Sequence, residues 1–287
     1  MTDLKQLSTG SYVPDWCPGC GDYIILNALK RAIVQLNLNP KDILVVSGIG
    51  CSSKLPQWIN TFGFHGVHGR GLPVGLGAKI ANKDLHVIVI GGDGDVYGEG
   101  MNHFVHSLRK NINITLLVHD NQIYGLTKGQ TSPTTMTGDK TNSAPLLGNL
   151  EEPINPLTLA ISQGASHVAR SFAGDLPHLT NTIANAIAFK GFAFVDIFQP
   201  CVTWNKHNTF DWFKERVYDL QEKKFKTDSQ EKSLIKAMEF GDKIPVGLFY
   251  EQPKHLYEET HPIIKGKPLI SHNIDNVSVK DLLEKLC

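Results

Sequence analysis

No apolar run in this sequence approaches the roughly 20 residues that a membrane-spanning helix requires; the best, Leu85 to Gly92, has the length of a strand. Membrane insertion is therefore not expected. An excess of either charge is equally lacking, because Lys plus Arg and Asp plus Glu stand at 28 each. That balance leaves no electrostatic footprint for nucleic acid or an anionic membrane, so recognition must be local. The start, Met1-Thr2-Asp3-Leu4-Lys5, lacks a basic stretch leading into an apolar one, so no secretory signal is read and a cytoplasmic location is expected. Cysteines number only five. In a reducing compartment they point to metal, cluster or catalysis before disulfides. Repeats and low-complexity segments are missing too.

What is present forms a core: 287 residues, 41% of them hydrophobic and 20% charged, suffice for one sizeable domain and an extension. From Asp22 the apolar residues Ile25, Leu26, Leu29, Ile33 and Leu36 recur at helical spacing, with Pro40 just beyond, which predicts a helix. Ile43 to Val46, Leu85 to Ile90, Ile114 to Val118 and Phe192 to Phe198 are short, apolar runs rich in β-branched residues, as strands buried on both faces require. Helical stretches separate them, notably Gly100 to Arg109 and Leu176 to Ala188, so the fold class is α/β with a parallel sheet. One domain is expected over residues 1–204. Beyond Trp204 the sequence turns charged and aromatic, as in Phe210-Asp211-Trp212-Phe213, and residues 205–287 read as a C-terminal extension. Ile244 to Tyr250 is a candidate strand there, and Val279 to Leu286 a candidate short helix.

Two constellations carry chemistry. The run Leu85 to Ile90 leads into Gly91-Gly92-Asp93-Gly94-Asp95, and the run Ile114 to Val118 leads into His119-Asp120-Asn121-Gln122-Ile123-Tyr124-Gly125. Both loops leave carboxyl ends of strands, where open α/β sheets bind ligands and glycines let backbone N–H groups approach phosphate. Mg²⁺ favours a carboxylate, neutral oxygens and phosphate oxygens in an octahedron, which Asp93, Asn121 and a nearby carbonyl could share. An isolated Gly-Asp-Gly is more often a turn. Followed by Asn121 at the end of the next strand, it resembles the thiamine-diphosphate signature, which assigns Asp93, Asn121 and the Ile123 carbonyl as Mg²⁺ ligands. The second constellation is Cys17-Pro18-Gly19-Cys20 with Cys51 and Cys201, four thiols at loop positions that suit structural zinc or a [4Fe–4S] cluster equally. Cys287, the last residue, is expected to be free. A blander reading makes Cys51 and Cys201 small buried hydrophobes.

Six segments together resemble one family: CPGCGDY at 17–23, GIGC at 48–51, HGRGLPVGLGAKIAN at 68–82, GGDGD at 91–95, DNQIYGLTKGQTSPTT at 120–135 and QPCVTWN at 199–205. In this order they are similar to the β subunit of 2-oxoacid:ferredoxin oxidoreductases, a match running from about residue 11 to 216 and weakly through IPVGLFY at 244–250. The resemblance implies a diphosphate-type thiamine-binding domain and a [4Fe–4S] cluster on Cys17, Cys20, Cys51 and Cys201. It implies a cofactor-binding set of Gly50, Cys51, His68, Gly92, Asp93, Gly94, Asp95, Asn121, Ile123 and Thr127. Val96-Tyr97-Gly98-Glu99-Gly100-Met101-Asn102-His103 departs from the pattern of many relatives, which leaves the following helix start open; Glu99 is expected to complement that helix's N-terminal dipole. His68 is a candidate for handling protons near the reacting centre. For Arg70, His65 and His103 structural roles are expected.

The activity implied is thiamine-dependent oxidative decarboxylation of a 2-oxoacid, with coenzyme A taking the acyl group and a cluster passing electrons to ferredoxin. The chain has room for one of the two α/β domains a thiamine enzyme needs, so an obligate α subunit is implied, with the C-terminal extension expected to contact it. Lys128, with Lys54 as helper, is the candidate for reading the distal carboxylate of 2-oxoglutarate; the Thr-Lys-Gly-Gln form at 127–130 resembles the 2-oxoglutarate and broad-specificity branches. The alternatives are pyruvate as main substrate, a non-oxidative thiamine-dependent decarboxylase or synthase subunit with structural cysteines, and a zinc-stabilised or electron-transfer module with a decayed site.

Overall fold

The computed structural model of this protein describes residues 1–273 and 278–285. Leu286, the end of the expected C-terminal helix, and Cys287 lie outside the described residues; Lys280–Glu284 is helical. The strands are β1 (Ile43–Ser47), β2 (Phe62–His65), β3 (His86–Gly92), β4 (Thr115–Asp120), β5 (His167–Phe172), β6 (Ala193–Phe198), β7 (Val217–Asp219) and β8 (Ile244–Glu251). They form one sheet in the order β2-β1-β3-β4-β6-β5-β8-β7. From β2 through β5 every pairing is parallel, whereas β8 runs antiparallel to β5 and carries β7 parallel to itself. The sheet therefore continues past residue 204 into the C-terminal segment.

The helices flanking the sheet are α1 (Gly21–Gln35), α2 (Gly71–Ala81), α3 (Met101–Lys110), α4 (Pro156–Ser162) and α5 (Leu176–Ala188). Successive residues of a strand face opposite sides, and the core divides accordingly. Ile88 and Ile90 of β3 pack with Ile25, Leu29 and Ile33 of α1 and with Leu179 and Ile183 of α5. Val87 and Val89 pack the other way, with Leu72 of α2, Phe104 and Leu108 of α3, and Leu157 and Ile161 of α4. Each such side chain, fully buried, contributes about 1.5–3 kcal/mol, so a strand apolar on both faces is held from both sides. The apolar spacing read from Asp22 onward is α1, and the stretch read over Leu176 to Ala188 is α5, whose Asp175 caps it by accepting from the His178 N–H at 3.0 Å.

Candidate active site

The chain runs from β1 outward to β2, then crosses back to lay β3 on the other side of β1, so the strand order switches direction between β1 and β3. At such a switch point the loops leaving the carboxyl ends diverge and open a crevice. Here the loop after β1 brings Gly50, Cys51 and Ser52, the loop after β3 brings Gly92, Asp93, Gly94 and Asp95, and the loop after β4 brings Asn121, Ile123, Tyr124 and Thr127, around one cleft. His68, just before α2, completes the wall. Gly94 is glycine for a steric reason: a Cβ there would run into the Tyr124 ring, whose hydroxyl donates to the Gly94 carbonyl at 3.1 Å. The departure at Val96 to His103 takes the form of a π-helical turn, Gly94–Glu99, ahead of α3.

Asp93 is 2% exposed, and burial pushes its carboxyl up to about 6; accepted hydrogen bonds offset that only in part. No ion pair to it forms among the described residues. A buried carboxylate on a glycine-lined cleft that Asn121 also lines suits an oxygen-ligated cation such as Mg²⁺. The buried Ser52 hydroxyl, without a partner in the structure, lines the same cleft and could donate to an anion such as a diphosphate. The donor set fits a metal-bridged diphosphate. Thr134, whose role is not visible in the sequence, holds Asp93 from behind: its Oγ1 lies 2.7 Å from Asp93 Oδ2 and 2.7 Å from Asp120 Oδ1. One hydroxyl proton cannot serve both carboxylates. Asp120 supplies the second, because burial and the neighbouring Asp196 and Asp93 hold its carboxyl well above the usual range. Asp196 in turn takes 2.8 Å and 3.0 Å bonds from Tyr97 and Arg170.

Asp95 is placed in the wall, yet its carboxylate faces the protein. Oδ1 accepts from the Ile49 N–H at 3.0 Å and the Gly69 N–H at 2.7 Å, and so ties three loops together. His68 Nδ1 lies 3.1 Å from the same oxygen, near enough for an ion pair but without a hydrogen bond's alignment. Lys128 sits in the left-handed region at φ 80°, exposed and one residue beyond the cleft-lining Thr127. Lys54 points elsewhere, pairing with Asp15 at 2.9 Å.

Cys51 belongs to the cleft and to a second cluster of groups. Its sulfur and that of Cys201 lie 3.7 and 3.6 Å from the position of a Cβ on Gly125, and Cys17 and Cys20, in the loop before α1, lie near enough to interact electrostatically with Cys51. Cys17, Cys20, Cys51 and Cys201 are free thiols, and among the described residues no three His, Cys, Asp or Glu side chains converge on a single ion. Burial, then Asp22 and Cys201, push the Cys51 thiol up to about 12, and burial with Asp22 raises Cys20 further. Four thiols brought in by three loops suit a multi-iron group, whose ligands need not converge on one ion and whose iron would take the place of the thiol protons. Behind them Asp22 and His119, both fully buried, pair at 2.6 Å. Ser52, Tyr124, Thr134 and Gln199 all stand inside or beside the quoted motifs, but spacing alone does not reveal where a side chain points.

The family model described as thiamine pyrophosphate enzyme, C-terminal TPP binding domain, matches residues 48–197, and the model for the C terminal part of the pyruvate ferredoxin oxidoreductase beta subunit matches residues 201–266. The beta subunit of 2-oxoacid:ferredoxin oxidoreductase 1 from Aeropyrum pernix is 46% identical over 273 residues, 91% of this chain and 84% of that one. The 2-oxoglutarate synthase subunit KorB of Methanocaldococcus jannaschii is 37% identical over 91% of this chain and 97% of its own length. Among solved structures, the 2-oxoglutarate:ferredoxin oxidoreductase from Magnetococcus marinus, with 2-oxoglutarate, coenzyme A and succinyl-CoA bound, superposes with a TM-score of 0.86 at 38% identity, covering 89% of this chain and 87% of that one.

Proposed function

The chain belongs to the 2-oxoacid:ferredoxin oxidoreductase β-subunit family, and on that premise we propose that it binds thiamine diphosphate through Mg²⁺ and holds a [4Fe–4S] cluster beside it. The observation that carries this reading is the double position of Cys51: it lines the cofactor cleft, and its sulfur borders Gly125 together with that of Cys201. A cluster held there would supply an electron acceptor in the wall of the cleft. Asp93, Asn121 and the Ile123 carbonyl would hold Mg²⁺, and Ser52 with the backbone of Gly92 and Gly94 would hold the diphosphate. Cys17, Cys20, Cys51 and Cys201 would hold the cluster. Bound thiamine diphosphate would supply the electron sink for loss of CO₂ from the 2-oxoacid. The protein's own part is positional: Thr134 aims the Asp93 carboxylate, Asp95 locks the loops, and His68 stands where a proton could be handled.

In the overall reaction a 2-oxoacid and coenzyme A would give an acyl-CoA, CO₂, one proton and two electrons, and the cluster would supply a one-electron relay toward ferredoxin. We favour 2-oxoglutarate, which the names of several relatives support. A separate α subunit would complete the active site, with residues 205–287 contacting it, and the chain alone would lack turnover. The test is anaerobic co-purification with the α subunit, followed by iron and acid-labile sulfide analysis and a 2-oxoacid-dependent ferredoxin-reduction assay. Brown protein that reduces ferredoxin only with 2-oxoacid and coenzyme A supports the reading. Colourless zinc protein, or CO₂ release without ferredoxin reduction, would replace it with the non-oxidative alternative.

A further inference from the structure

Gln199, the first residue after β6, is 1% exposed, and its side chain reaches from its own loop to the loop before α1. The amide Nε2 donates to Cys20 Sγ at 3.2 Å and to the Pro200 carbonyl at 3.3 Å, while Oε1 is buried without a partner. Both groups facing Nε2 are acceptors once Cys20 is a thiolate, and that settles which end of the amide is nitrogen. The neighbouring residue is shaped to admit it. A Cβ on Gly21 would stand 2.9 Å from Gln199 Cγ and 3.3 Å from Nε2, so any side chain there would push the amide off the sulfur. A residue present only for packing would be apolar here and would avoid the unpaired carbonyl oxygen.

We propose that Gln199 sets the reduction potential of the cluster by donating an N–H hydrogen bond to the Cys20 sulfur. This rests on the [4Fe–4S] reading given above. Adding an electron to a thiolate-bound cluster raises the charge density on its sulfurs, and a donor aimed at one of them stabilises the reduced form more than the oxidised one. The nearby Asp22 carboxylate, whose Oδ2 lies 3.4 Å from the same sulfur, acts in the opposite sense. Gln199 is the counterweight that keeps the potential high enough to accept an electron from the cleft. It is a positioning residue, since it touches a ligand and not the substrate.

The experiment is EPR-monitored redox titration of the αβ complex carrying Gln199→Met or Gln199→Leu, each checked for iron and acid-labile sulfide. Met keeps the length and removes the donor, so its cluster should reduce about tenfold less favourably, a midpoint about 59 mV more negative for a one-electron couple. Leu likewise removes the donor and should shift the midpoint in the same direction. If Met does not assemble, the Leu variant decides alone. A full cluster titrating at the wild-type potential in the variant that assembles overturns the role of Gln199 while leaving the cluster in place. Wild-type complex without iron and sulfide overturns the cluster reading and this inference together.

Discussion

The two ends of the sheet obey different rules. From β2 to β5 all strands run the same way, so every loop that can carry chemistry leaves on one edge, and the order reversal between β1 and β3 opens a crevice there. At β8 the direction reverses, and neither β8 nor β7 contributes a residue to the cleft. What the antiparallel end does is close an edge: β8 pairs along β5, which would otherwise expose a row of unpaired backbone groups. The comparison assigns function to one half and cohesion to the other, and substitutions can test that division.

The largest effect is expected at the switch point. Asp93→Ala and Asn121→Ala each remove an inner ligand of the proposed Mg²⁺, and water is a poor replacement for a carboxylate. Titration calorimetry of the αβ complex with thiamine diphosphate and Mg²⁺ should show affinity reduced beyond measurement for Asp93→Ala, with the fold retained. Unchanged affinity in both variants would remove the metal assignment. Next comes the cysteine corner, where Cys17→Ala, Cys20→Ala, Cys51→Ala or Cys201→Ala should each deplete iron and sulfide, and Cys287→Ala should not. Iron lost on Cys287→Ala but kept on Cys201→Ala would break the ligand set.

The same division explains what is legible in the sequence. The interior strands β1, β3, β4 and β6 are apolar on both faces, so their runs stand out, and the loops that follow them hold the motifs. β5 escapes because His167, Arg170 and Ser171 interrupt it; Arg170 is tolerated inside only through its 3.0 Å bond to Asp196. β2 escapes because all four of its residues are exposed on an edge. Helix α2 carries Gly71, Gly75 and Gly77, which lower helix propensity, yet Gly75 is required because a Cβ would stand 2.6 Å from Val89 Cγ2. The family resemblance implies Asp93, Asn121 and Cys51 around one cofactor, and all three line one cleft, but the sequence cannot show that Asp95 is occupied with backbone N–H groups or that Lys54 faces Asp15.

A smaller effect is expected at the exposed rim of the functional half. If Lys128 reads the distal carboxylate of 2-oxoglutarate, a charge-assisted bond of about 1.5–3 kcal/mol is lost in Lys128→Met, and the 2-oxoglutarate-to-pyruvate ratio of kcat/KM should fall by one to two orders of magnitude. The measurement needs the reconstituted αβ complex and both acids. An unchanged ratio would leave Lys128 as a solvated loop residue and sharpen the boundary of the cleft at Thr127.

The smallest effect belongs to the cohesive end, and it should leave the chemistry untouched. Glu251 at the end of β8 accepts from His167 Nδ1 of β5 at 2.8 Å, and that hydrogen bond, with the His167 charge, holds the Glu251 carboxyl below its usual range despite partial burial. Because the folded carboxyl is the stronger acid, the bond contributes stability above the unfolded glutamate pKa, and the contribution disappears as pH falls through the lowered folded value. Glu251 is 39% exposed, so solvent screening keeps the contribution near the weak end for such pairs, about 0.5 kcal/mol. Glu251→Gln should therefore lower Tm by about 1–2 °C at neutral pH. The difference from wild type should vanish in acid, with cofactor affinity and iron content unchanged. A loss of cofactor binding in this variant would show that the antiparallel end is coupled to the cleft, and the division between the two halves of the sheet would not stand.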